Sequence, residues 1–379
     1  MSERLLMIWA FWIAAGVIAY TYIGYACWLR LRMLWRSRPV LRGSMIPSVS
    51  VVMIVRNEEN TLESKLRNLT ELNYPSDRCQ IVVVSDGSTD KTEEILHNWA
   101  RDPRITVVLN QISQGKALGL NDAIQAAYGE VVLFTDARQE IEPDALPLMM
   151  ENFADPTVGC VSGELMLGDP SEGESRRGMS LYWRIEKQVR ELEAAADSVV
   201  GATGAIYAVR RELLPTVPPG TILDDVYIPM QVVRQGKRVI FDSRARAWDL
   251  PSLGAAREFS RKVRTLSGNY QLVQLAPWLL RRENPIRFEF VSHKLMRLAV
   301  PFALAALLVS SFFLDGFLYR AALVGQLFFY ALSAVSISRL AKSGILARIS
   351  DAAGTFVLLN AAALVASANF VAGRRAAWR

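Results

Sequence analysis

Apolar and polar residues follow two different patterns along this chain, and the patterns divide it into parts. From Leu5 to Leu29, and again in three stretches near the C-terminus, there is no charged residue. About 20 apolar residues are enough for a helix to cross a bilayer. Between these ends, short β-branched runs alternate with amphipathic stretches, which is typical of an α/β domain. The three C-terminal stretches are Leu298–Leu314, Ala321–Ser338 and Ala352–Gly373.

The first apolar stretch has two interpretations, a membrane anchor and a cleaved signal peptide. The apolar region of a signal peptide has roughly 7–15 residues, and Leu5–Leu29 is longer and contains several Trp and Tyr residues that suit a membrane interface. We therefore favour the anchor. Arg4 is the only basic residue before this stretch, whereas five arginines follow it closely. The positive-inside rule therefore predicts that the next domain is cytosolic. The five are Arg30, Arg32, Arg36, Arg38 and Arg42.

The last apolar stretch leaves the topology open. A cytosolic turn marked by Arg339, Lys342 and Arg348 precedes it, while Asp315 marks the opposite side. A full crossing then carries the arginines at the C-terminus outside, against the same rule. A re-entrant or interfacial segment is the alternative, and its two asparagines suit that arrangement. The C-terminal arginines are Arg374, Arg375 and Arg379, and the two asparagines are Asn360 and Asn369.

These patterns predict a multi-pass protein of the cell (inner) membrane with its α/β domain in the cytosol. We expect a transmembrane helix at residues 1–29, a cytosolic domain at 30–254, amphipathic interfacial helices at 255–294 and a membrane region at 295–379. The segment Ala255–Phe290 mixes Arg and Lys with aromatic and aliphatic residues, as helices on a membrane surface do.

Composition agrees with a membrane protein and excludes some other classes. Of the 379 residues, 51% are hydrophobic and 21% are charged, so the chain is not disordered. The chain has 43 Lys and Arg residues against 37 Asp and Glu residues. This excess is too small and too dispersed to indicate a nucleic-acid partner, and contact with membrane lipids explains it better. Cys27, Cys79 and Cys160 are far apart, which suggests neither a disulfide framework nor a zinc site.

Near-continuous apolar runs in the central region predict strands buried on both faces of a parallel sheet. Helices are expected between them, and Asn60 with Glu63 and Asp90 with Glu93 fit capping boxes at two helix starts. In open parallel sheets, ligands bind at the carboxyl ends of the strands. The predicted strands are Val49–Val55, Ile81–Val84, Ile105–Leu109 and Val131–Phe134.

Acidic and small polar residues follow all four strands. Each loop alone is explained as a turn or a helix cap, because Asp, Gly and Ser are what such turns need. Four such loops at one edge of the sheet predict a binding site instead. No GxxxxGK[ST] and no GxGxxG follows a strand, which disfavours the other common nucleotide folds. The loops are Arg56-Asn57-Glu58-Glu59, Asp86-Gly87-Ser88-Thr89-Asp90, Gln114-Gly115-Lys116 and Thr135-Asp136-Ala137.

Over roughly Pro47–Arg264 these motifs resemble the family 2 glycosyltransferases with the GT-A fold, in particular the membrane-embedded, cellulose-synthase-like branch. The resemblance implies a Rossmann-like, mostly parallel α/β sheet that binds a nucleotide-diphospho-sugar, flanked here by transmembrane helices. The first two loops resemble the family's segments that hold the base and ribose. The implied nucleotide-binding residues are Val55, Asn57, Glu58, Asp86, Ser88, Lys116 and Asp136.

The resemblance also implies a divalent cation, with a departure from the family pattern. Thr135-Asp136-Ala137-Arg138 occupies the position where two carboxylates normally hold Mg²⁺ or Mn²⁺, and Arg138 stands in place of the second. Two alternatives follow. Either Asp136 holds the metal together with diphosphate and water, which we favour, or Arg138 itself supplies part of the positive charge.

Three further segments resemble catalytic and acceptor motifs. Asp224-Asp225 resembles the family's acidic pair, whose second member is the general base, although paired acids also cap helices. Gly204 lies in a glycine-bearing segment expected beside the sugars. Arg264 matches the arginine of the diphosphate-contacting motif of processive synthases, while Arg261 and Thr265 replace its glutamine and its tryptophan. A basic face of an interfacial helix also explains the two arginines.

The resemblance implies an inverting glycosyltransferase with a nucleotide-sugar donor, expected to be UDP-linked, and a lipid-linked or glycan acceptor at the cytosolic face. Two alternatives stay open. One is a processive polysaccharide synthase that also translocates its product, and the other is a catalytically silent membrane scaffold. Turnover of a nucleotide sugar separates the scaffold from both enzymes, and product length separates the two enzymes.

Overall fold

A computed structural model describes residues 3–168, 181–249, 255–338 and 344–374 of the chain. Part of the topology argument falls on Arg339, Lys342, Arg375 and Arg379, which lie outside the described residues. The described helices are α1 (Glu3–Ala19), α2 (Tyr25–Met33), α3 (Leu62–Thr70), α4 (Thr92–Trp99), α5 (Lys116–Ala126), α6 (Ala145–Met150), α7 (Leu181–Ala196), α8 (Asp224–Arg234), α9 (Ala255–Leu275), α10 (Arg287–Phe290), α11 (Met296–Phe313), α12 (Phe317–Ile337) and α13 (Gly344–Val371).

The described strands form one mixed sheet of eight. They are β1 (Val49–Val55), β2 (Cys79–Asp86), β3 (Ile105–Asn110), β4 (Val131–Phe134), β5 (Glu140–Ile141), β6 (Val158–Leu167), β7 (Tyr207–Arg210) and β8 (Arg238–Asp249). The order across the sheet is β3-β2-β1-β4-β7-β6-β8-β5. The first four strands of this order are mutually parallel, whereas β7 is antiparallel to both β4 and β6, and β6 is parallel to β8.

All four predicted strands are confirmed. The bounds of β1 and β4 are those predicted, β2 extends beyond Ile81–Val84 at both ends, and β3 continues one residue past Leu109. Every residue of β1, β2 and β4 is buried, because helices cover both faces of this part of the sheet. The carboxyl ends of these parallel strands therefore lie along one edge, where the predicted loops emerge.

The two predicted capping boxes are wrong in detail. Helix α3 begins at Leu62 with Thr61 as its N-cap, and the hydroxyl of Thr61 donates to the Glu58 carboxylate at 2.6 Å instead of capping the helix. Helix α4 begins at Thr92, whose backbone N–H donates to Asp90 at 3.0 Å, but Lys91 is the N-cap. Contacts between the loops after β1 and β2 displace both helix starts from the positions that local sequence favours.

Four helical segments are long and apolar enough to cross a membrane: Glu3–Met33, Arg287–Phe313, Phe317–Ile337 and Gly344–Val371. The first consists of α1 and α2 joined by a π-helical turn. Large apolar side chains on these helices face outward, with Phe312 71% and Phe317 90% exposed. Exposed apolar surface of this kind is expected where lipid replaces water as the solvent.

Hydrogen bonds and ion pairs connect the α/β domain to these helices. The hydroxyl of Tyr25 in α2 donates to Glu193 of α7 at 2.6 Å, and His293 places one ring nitrogen 2.8 Å from the same carboxylate. The other ring nitrogen lies 3.0 Å from Glu186 of α7, and Arg32 of α2 pairs with the buried Glu289. Unpaired buried charges are costly, so these contacts fix the orientation of α7 against the first and second apolar segments.

Candidate active site

One lysine joins three segments at the carboxyl edge of the sheet. The Lys116 ammonium, at the start of α5, lies 3.1 Å from Asp136 in the loop after β4 and 3.3 Å from Asp224 at the start of α8. Although burial alone disfavours its charge, Asp136, Asp224 and Asp225 raise the pKa of Lys116 above its usual value. Lys116 therefore stays a cation and partly neutralises a cluster of three carboxylates.

The position of Lys116 depends on the glycine before it. Gly115 is the residue preceding α5 and has φ of +95°, a conformation that L side chains rarely adopt. The N–H of Gly115 donates to the buried Asp86 carboxylate at 2.9 Å, and Gln114 N–H and the Ser113 hydroxyl donate to it at 2.7 Å each. Asp86 at the end of β2 thus holds the loop that aims Lys116 at the two carboxylates.

Asp225 is a partly buried carboxylate with a raised pKa. It is the second residue of α8, and Leu223, not an acid, is the N-cap, so the acidic pair lies in the first helical turn and complements the helix dipole without capping. Burial and then the Asp224 charge raise the pKa of Asp225 to about 6, against the opposing charge of Lys116. A carboxylate with this pKa can accept a proton near neutral pH.

Small residues leave room around Asp225. A Cβ on Gly204 would lie 3.3 Å from the Oδ2 atom of Asp225, and the backbone N–H of Ala202 donates to the Asp225 carbonyl at 2.6 Å. Gly201 has φ of +87°, and a Cβ there would come within 2.8 Å of Val226. The glycine-bearing segment therefore packs directly against the start of α8, as its sequence position suggested.

A cavity of about 430 Å³, here called the main cavity, opens in front of these groups. Asp225 and Gly204 line it together with Asp136 and several cationic side chains. The structure thus brings the predicted base and the predicted diphosphate and acceptor residues to one space. The lining residues predicted from sequence are Asp136, Arg138, Gly204, Asp225, Arg261 and Arg264, and Thr265 lines it too.

The predicted nucleoside residues lie beside the main cavity instead of lining it. Asn57 adopts φ of +55°, its side-chain oxygen accepts from Thr89 N–H at 2.8 Å, and its N–H donates to the Ser88 hydroxyl at 3.2 Å. The Glu58 N–H donates to Thr92 at 2.9 Å, and the Val55 side chain is buried in the core. These contacts join the first and second loops, while the nucleotide-binding role of their residues stays a prediction.

Arg138 does not stand free in the cavity. Its guanidinium lies 3.2 Å from the carboxylate of Asp249 at the end of β8, which also accepts from Gln139 at 3.1 Å. Arg261 likewise pairs with Glu258 at 2.8 Å on α9. Both arginines therefore bring their positive charge to the cavity wall already balanced in part by a carboxylate.

Sequence reasoning missed a buried lysine behind the loop that carries Asp136. Lys65 of α3 donates to the Thr135 hydroxyl at 3.0 Å and to the Gln139 carbonyl at 2.5 Å. Burial lowers its pKa to about 7, although the Asp136 and Glu140 charges oppose that shift. Lysine on an amphipathic helix usually extends to solvent, so the sequence held no signal for this contact.

The residues present fit a divalent cation that substrate would help to hold. Among the described residues no three His, Cys, Asp or Glu side chains converge on one point, so the protein alone offers no complete cage. Asp136 nevertheless faces the cavity with 42% of its side chain exposed. Mg²⁺ is commonly held by one or two carboxylates, waters and substrate phosphates, and one hard oxygen ligand suits that arrangement.

Comparison with known proteins identifies the domain. Residues 50–217 match the family model described as glycosyl transferase family 2. Poly-beta-1,6-N-acetyl-D-glucosamine synthase of Staphylococcus epidermidis is 24% identical over 272 residues, which cover 71% of this chain and 64% of that protein. The synthase of the same name from Staphylococcus aureus strain MSSA476 is 23% identical, covering 64% of this chain and 60% of that protein. The chain thus spans less than two thirds of the length of these relatives.

A solved structure has the same fold. The mannosyltransferase PcManGT from Pyrobaculum calidifontis, solved in complex with GDP-Man and Mn²⁺, superposes with a TM-score of 0.73. The likeness covers 96% of this chain and 99% of that one, at 23% sequence identity. The predicted GT-A fold with flanking apolar helices is therefore confirmed.

Removing the Lys116 charge should destabilise the protein in a pH-dependent way. In Lys116→Met, Asp136, Asp224 and Asp225 lose their shared cation, and breaking the largely buried Lys116–Asp224 pair costs at most about 3–5 kcal/mol. Raised carboxyl pKa values destabilise the folded state above those values and not below them, because protonation removes the repulsion. We expect the melting temperature of Lys116→Met to fall further below wild type at pH 8 than at pH 5.

The control is Lys91→Met, because Lys91 is an exposed lysine next to the start of α4. Its melting temperature should follow wild type at both pH values. A deficit of Lys116→Met that is constant from pH 5 to pH 8 would contradict the role of Lys116 as counter-charge to the carboxylates.

Proposed function

We propose that the chain, whose residues 50–217 match the glycosyl transferase family 2 model, is a glycosyltransferase that transfers a sugar, with inversion, from a nucleoside-diphosphate donor to an acceptor hydroxyl. The observation that carries the proposal is the raised pKa of Asp225 at the wall of a cavity that Arg264 and Asp136 also line. A proton acceptor and groups suited to a diphosphate thereby share one space.

The donor is proposed to bind across the edge of the sheet. Its nucleoside would contact the joined loops that hold Asn57, Glu58 and Ser88, with Val55 and Asp86 beneath them. Its diphosphate would point toward Lys116 and Arg264, because ammonium and guanidinium groups bind phosphate oxygens. This arrangement leaves the sugar in the main cavity beside Gly204, where the absence of a side chain gives it room.

The reaction needs one base and one leaving group. The acceptor oxygen attacks C1 of the sugar, the bond between C1 and the diphosphate oxygen breaks, and the nucleoside diphosphate leaves with the electron pair. Asp225 takes the proton of the attacking hydroxyl. Asp224, held by Lys116 at 3.3 Å, acts as a positioning residue whose charge keeps Asp225 basic.

A divalent cation would be held by Asp136 and the diphosphate oxygens. When bound, Mg²⁺ or Mn²⁺ supplies positive charge that stabilises the leaving diphosphate. Arg138 lies at the same cavity, but the Asp249 carboxylate that pairs with its guanidinium offsets part of its positive charge. We therefore assign the metal to Asp136 and give Arg138 the role of fixing the loop.

Product length is the second open property. The named relatives are polysaccharide synthases, which favours a polymer as the alternative product. Thr265 lines the main cavity where a tryptophan would offer a stacking surface for a sugar ring, and a hydroxyl cannot replace that contact. We therefore propose that one or a few sugars are added at the cytosolic face of the cell (inner) membrane.

The base assignment predicts a selective loss of transfer. Asp225→Asn keeps the shape of the side chain and removes its basicity, and a general base contributes about 10²–10⁴ in rate. We expect transfer to fall by that factor while affinity for nucleoside diphosphate changes little, and Asp224→Asn to be milder. Transfer and nucleotide affinity that fall in parallel in Asp225→Asn would make the residue a donor contact.

The raised pKa of Asp225 predicts the acidic limb of the pH profile. The base works only when ionised, so kcat/KM should fall about tenfold per pH unit below about pH 6. Asp224, Lys116, Lys294 and Asp136 all act on this group electrostatically, and Lys116 keeps its charge throughout the range. If kcat/KM instead began to fall only below about pH 4, the ordinary range of an exposed carboxyl group, Asp225 would be excluded as the base.

The metal assignment predicts recovery of activity after chelation. Excess EDTA should abolish transfer and Mg²⁺ or Mn²⁺ should restore it, while Asp136→Asn should need at least tenfold more metal. Asp122→Asn is the control, since Asp122 contacts Asn110 away from the cavity. Full turnover in EDTA would show that the protein's own cations suffice.

The orientation of the domain is testable by thiol labelling. In a Cys27→Ser background, Glu71→Cys lies on the exposed end of α3 and Asp315→Cys lies between α11 and α12. We expect a membrane-impermeant maleimide to label only Asp315→Cys in intact cells and Glu71→Cys only after permeabilisation. Labelling of Glu71→Cys in intact cells would reverse the orientation.

A further inference from the structure

A second cavity, here called the membrane-side cavity, adjoins the main cavity. Its volume is about 220 Å³, and four residues, Glu186, Arg190, Lys262 and Thr265, line both cavities. Apart from two residues of α9, the remaining wall comes from helices long and apolar enough to cross a membrane, including Tyr22 of the first segment and Asn360 of α13. A molecule in the membrane-side cavity would therefore reach toward Asp225 on one side and toward lipid on the other.

Positive charge dominates the wall of the membrane-side cavity. Four basic side chains line it, and Glu186 is the single carboxylate among its described lining residues. Although burial opposes its charge, Arg297 and His293 keep the pKa of Glu186 well below the ordinary range, so this carboxylate is ionised. It offsets one positive charge. The four cations are Arg190, Lys262, Lys294 and Arg297.

In the described ion pairs these cations share few carboxylates. Glu186 contacts Arg297 at 2.7 Å and Arg190 at 3.5 Å, so one carboxylate serves two guanidinium groups. Glu258 lies 3.5 Å from Lys262 but shares its charge with Arg261. Four cationic side chains on one partly buried wall favour the binding of an anion there.

The position of Asp225 limits what this anion can be. A general base is needed only when the attacking group is a hydroxyl, because a phosphate oxygen attacks without losing a proton. The anionic group in the membrane-side cavity is therefore distinct from the nucleophile in the main cavity. Both groups belong to one molecule if the acceptor spans the two cavities through their shared wall.

Resting on the proposed function, we infer that the acceptor is an anionic lipid whose phosphate binds the cations of the membrane-side cavity while a hydroxyl of the same headgroup reaches Asp225. The wall formed by α13 and the first apolar segment gives the acyl or prenyl chain an apolar path into the bilayer. Charge-assisted hydrogen bonds from Lys262 and Lys294 give the phosphate its affinity.

Lipid binding by the full-length protein in a neutral detergent tests this inference. The probe is phosphatidylglycerol, which has a phosphate, a free hydroxyl and an apolar tail, measured by native mass spectrometry. Diacylglycerol lacks the phosphate, and glycerol 3-phosphate lacks the tail. We expect saturable binding of phosphatidylglycerol and at least tenfold weaker binding of both other molecules.

Two single variants test the site itself. Lys262→Gln and Lys294→Gln should each weaken phosphatidylglycerol binding about tenfold or more, because each removes one charged donor. Arg257→Gln is the matched control, since Arg257 is an exposed cation on α9 outside both cavities. Correct folding is checked by circular dichroism and thermal melting, and Lys262→Gln suffices if the Lys294 variant does not fold.

The outcomes separate this inference from the proposed function. Equal phosphatidylglycerol binding by wild type, Lys262→Gln and Lys294→Gln would overturn the phosphate site, as would equally tight binding of diacylglycerol. Equally tight glycerol 3-phosphate would show a free phosphate site in place of a lipid site. Absence of nucleoside diphosphate binding by wild type would count against the proposed function alone, because lipid binding is measured without a donor.

Discussion

The ion cluster of Lys116 with Asp136 and Asp224 is the constraint on which the candidate active site depends. Three carboxylates lie at one sheet edge, and without a cation their mutual repulsion and burial would be unfavourable. Burial and then the Asp224 charge raise the pKa of Asp225, and Lys116, which pairs with Asp136 and Asp224, opposes that shift. The cluster therefore holds Asp224 beside Asp225, where its charge helps to keep Asp225 basic.

The same cluster connects parts of the chain that are distant in sequence. Asp86 holds the turn before α5, Lys116 holds the loop after β4 and the start of α8, and Lys65 supports that loop from behind. A second cluster, Glu186 with His293 and Arg297, connects α7 to the start of an apolar helix. Together they place the main cavity beside the helices expected in the membrane.

Much of this fold could be predicted from the sequence, for physical reasons. Strands buried on both faces give continuous apolar runs, so β1 and β4 were predicted with their observed bounds. The capping boxes failed because the two loops bond to each other, Glu58 N–H to Thr92 and Glu59 N–H to Asp90, and these tertiary contacts override local preference. Of the site residues with motif signals, Asp136, Gly204, Asp225 and Arg264 line the main cavity together, whereas those of the first two loops do not.

The remaining site residues depend on long-range contacts. Lys65 and His293 have no neighbouring motif, and their roles follow from partners on other elements. The pairing of Lys116 with Asp224 and of Arg138 with Asp249 likewise crosses most of the domain. Periodicity locates elements, but it does not specify which buried charges meet, because that depends on the packing of the whole sheet.

The central claim is that the main cavity transfers sugar from a nucleotide to a membrane acceptor. The most direct measurement incubates the purified protein in nanodiscs with a panel of nucleotide sugars and follows nucleoside diphosphate release and the mass of extracted lipid. We expect nucleoside diphosphate to be released from one class of donor, together with a lipid product that is heavier by one or a few sugars. Absence of nucleoside diphosphate release from every donor, in a protein that remains folded, would contradict it.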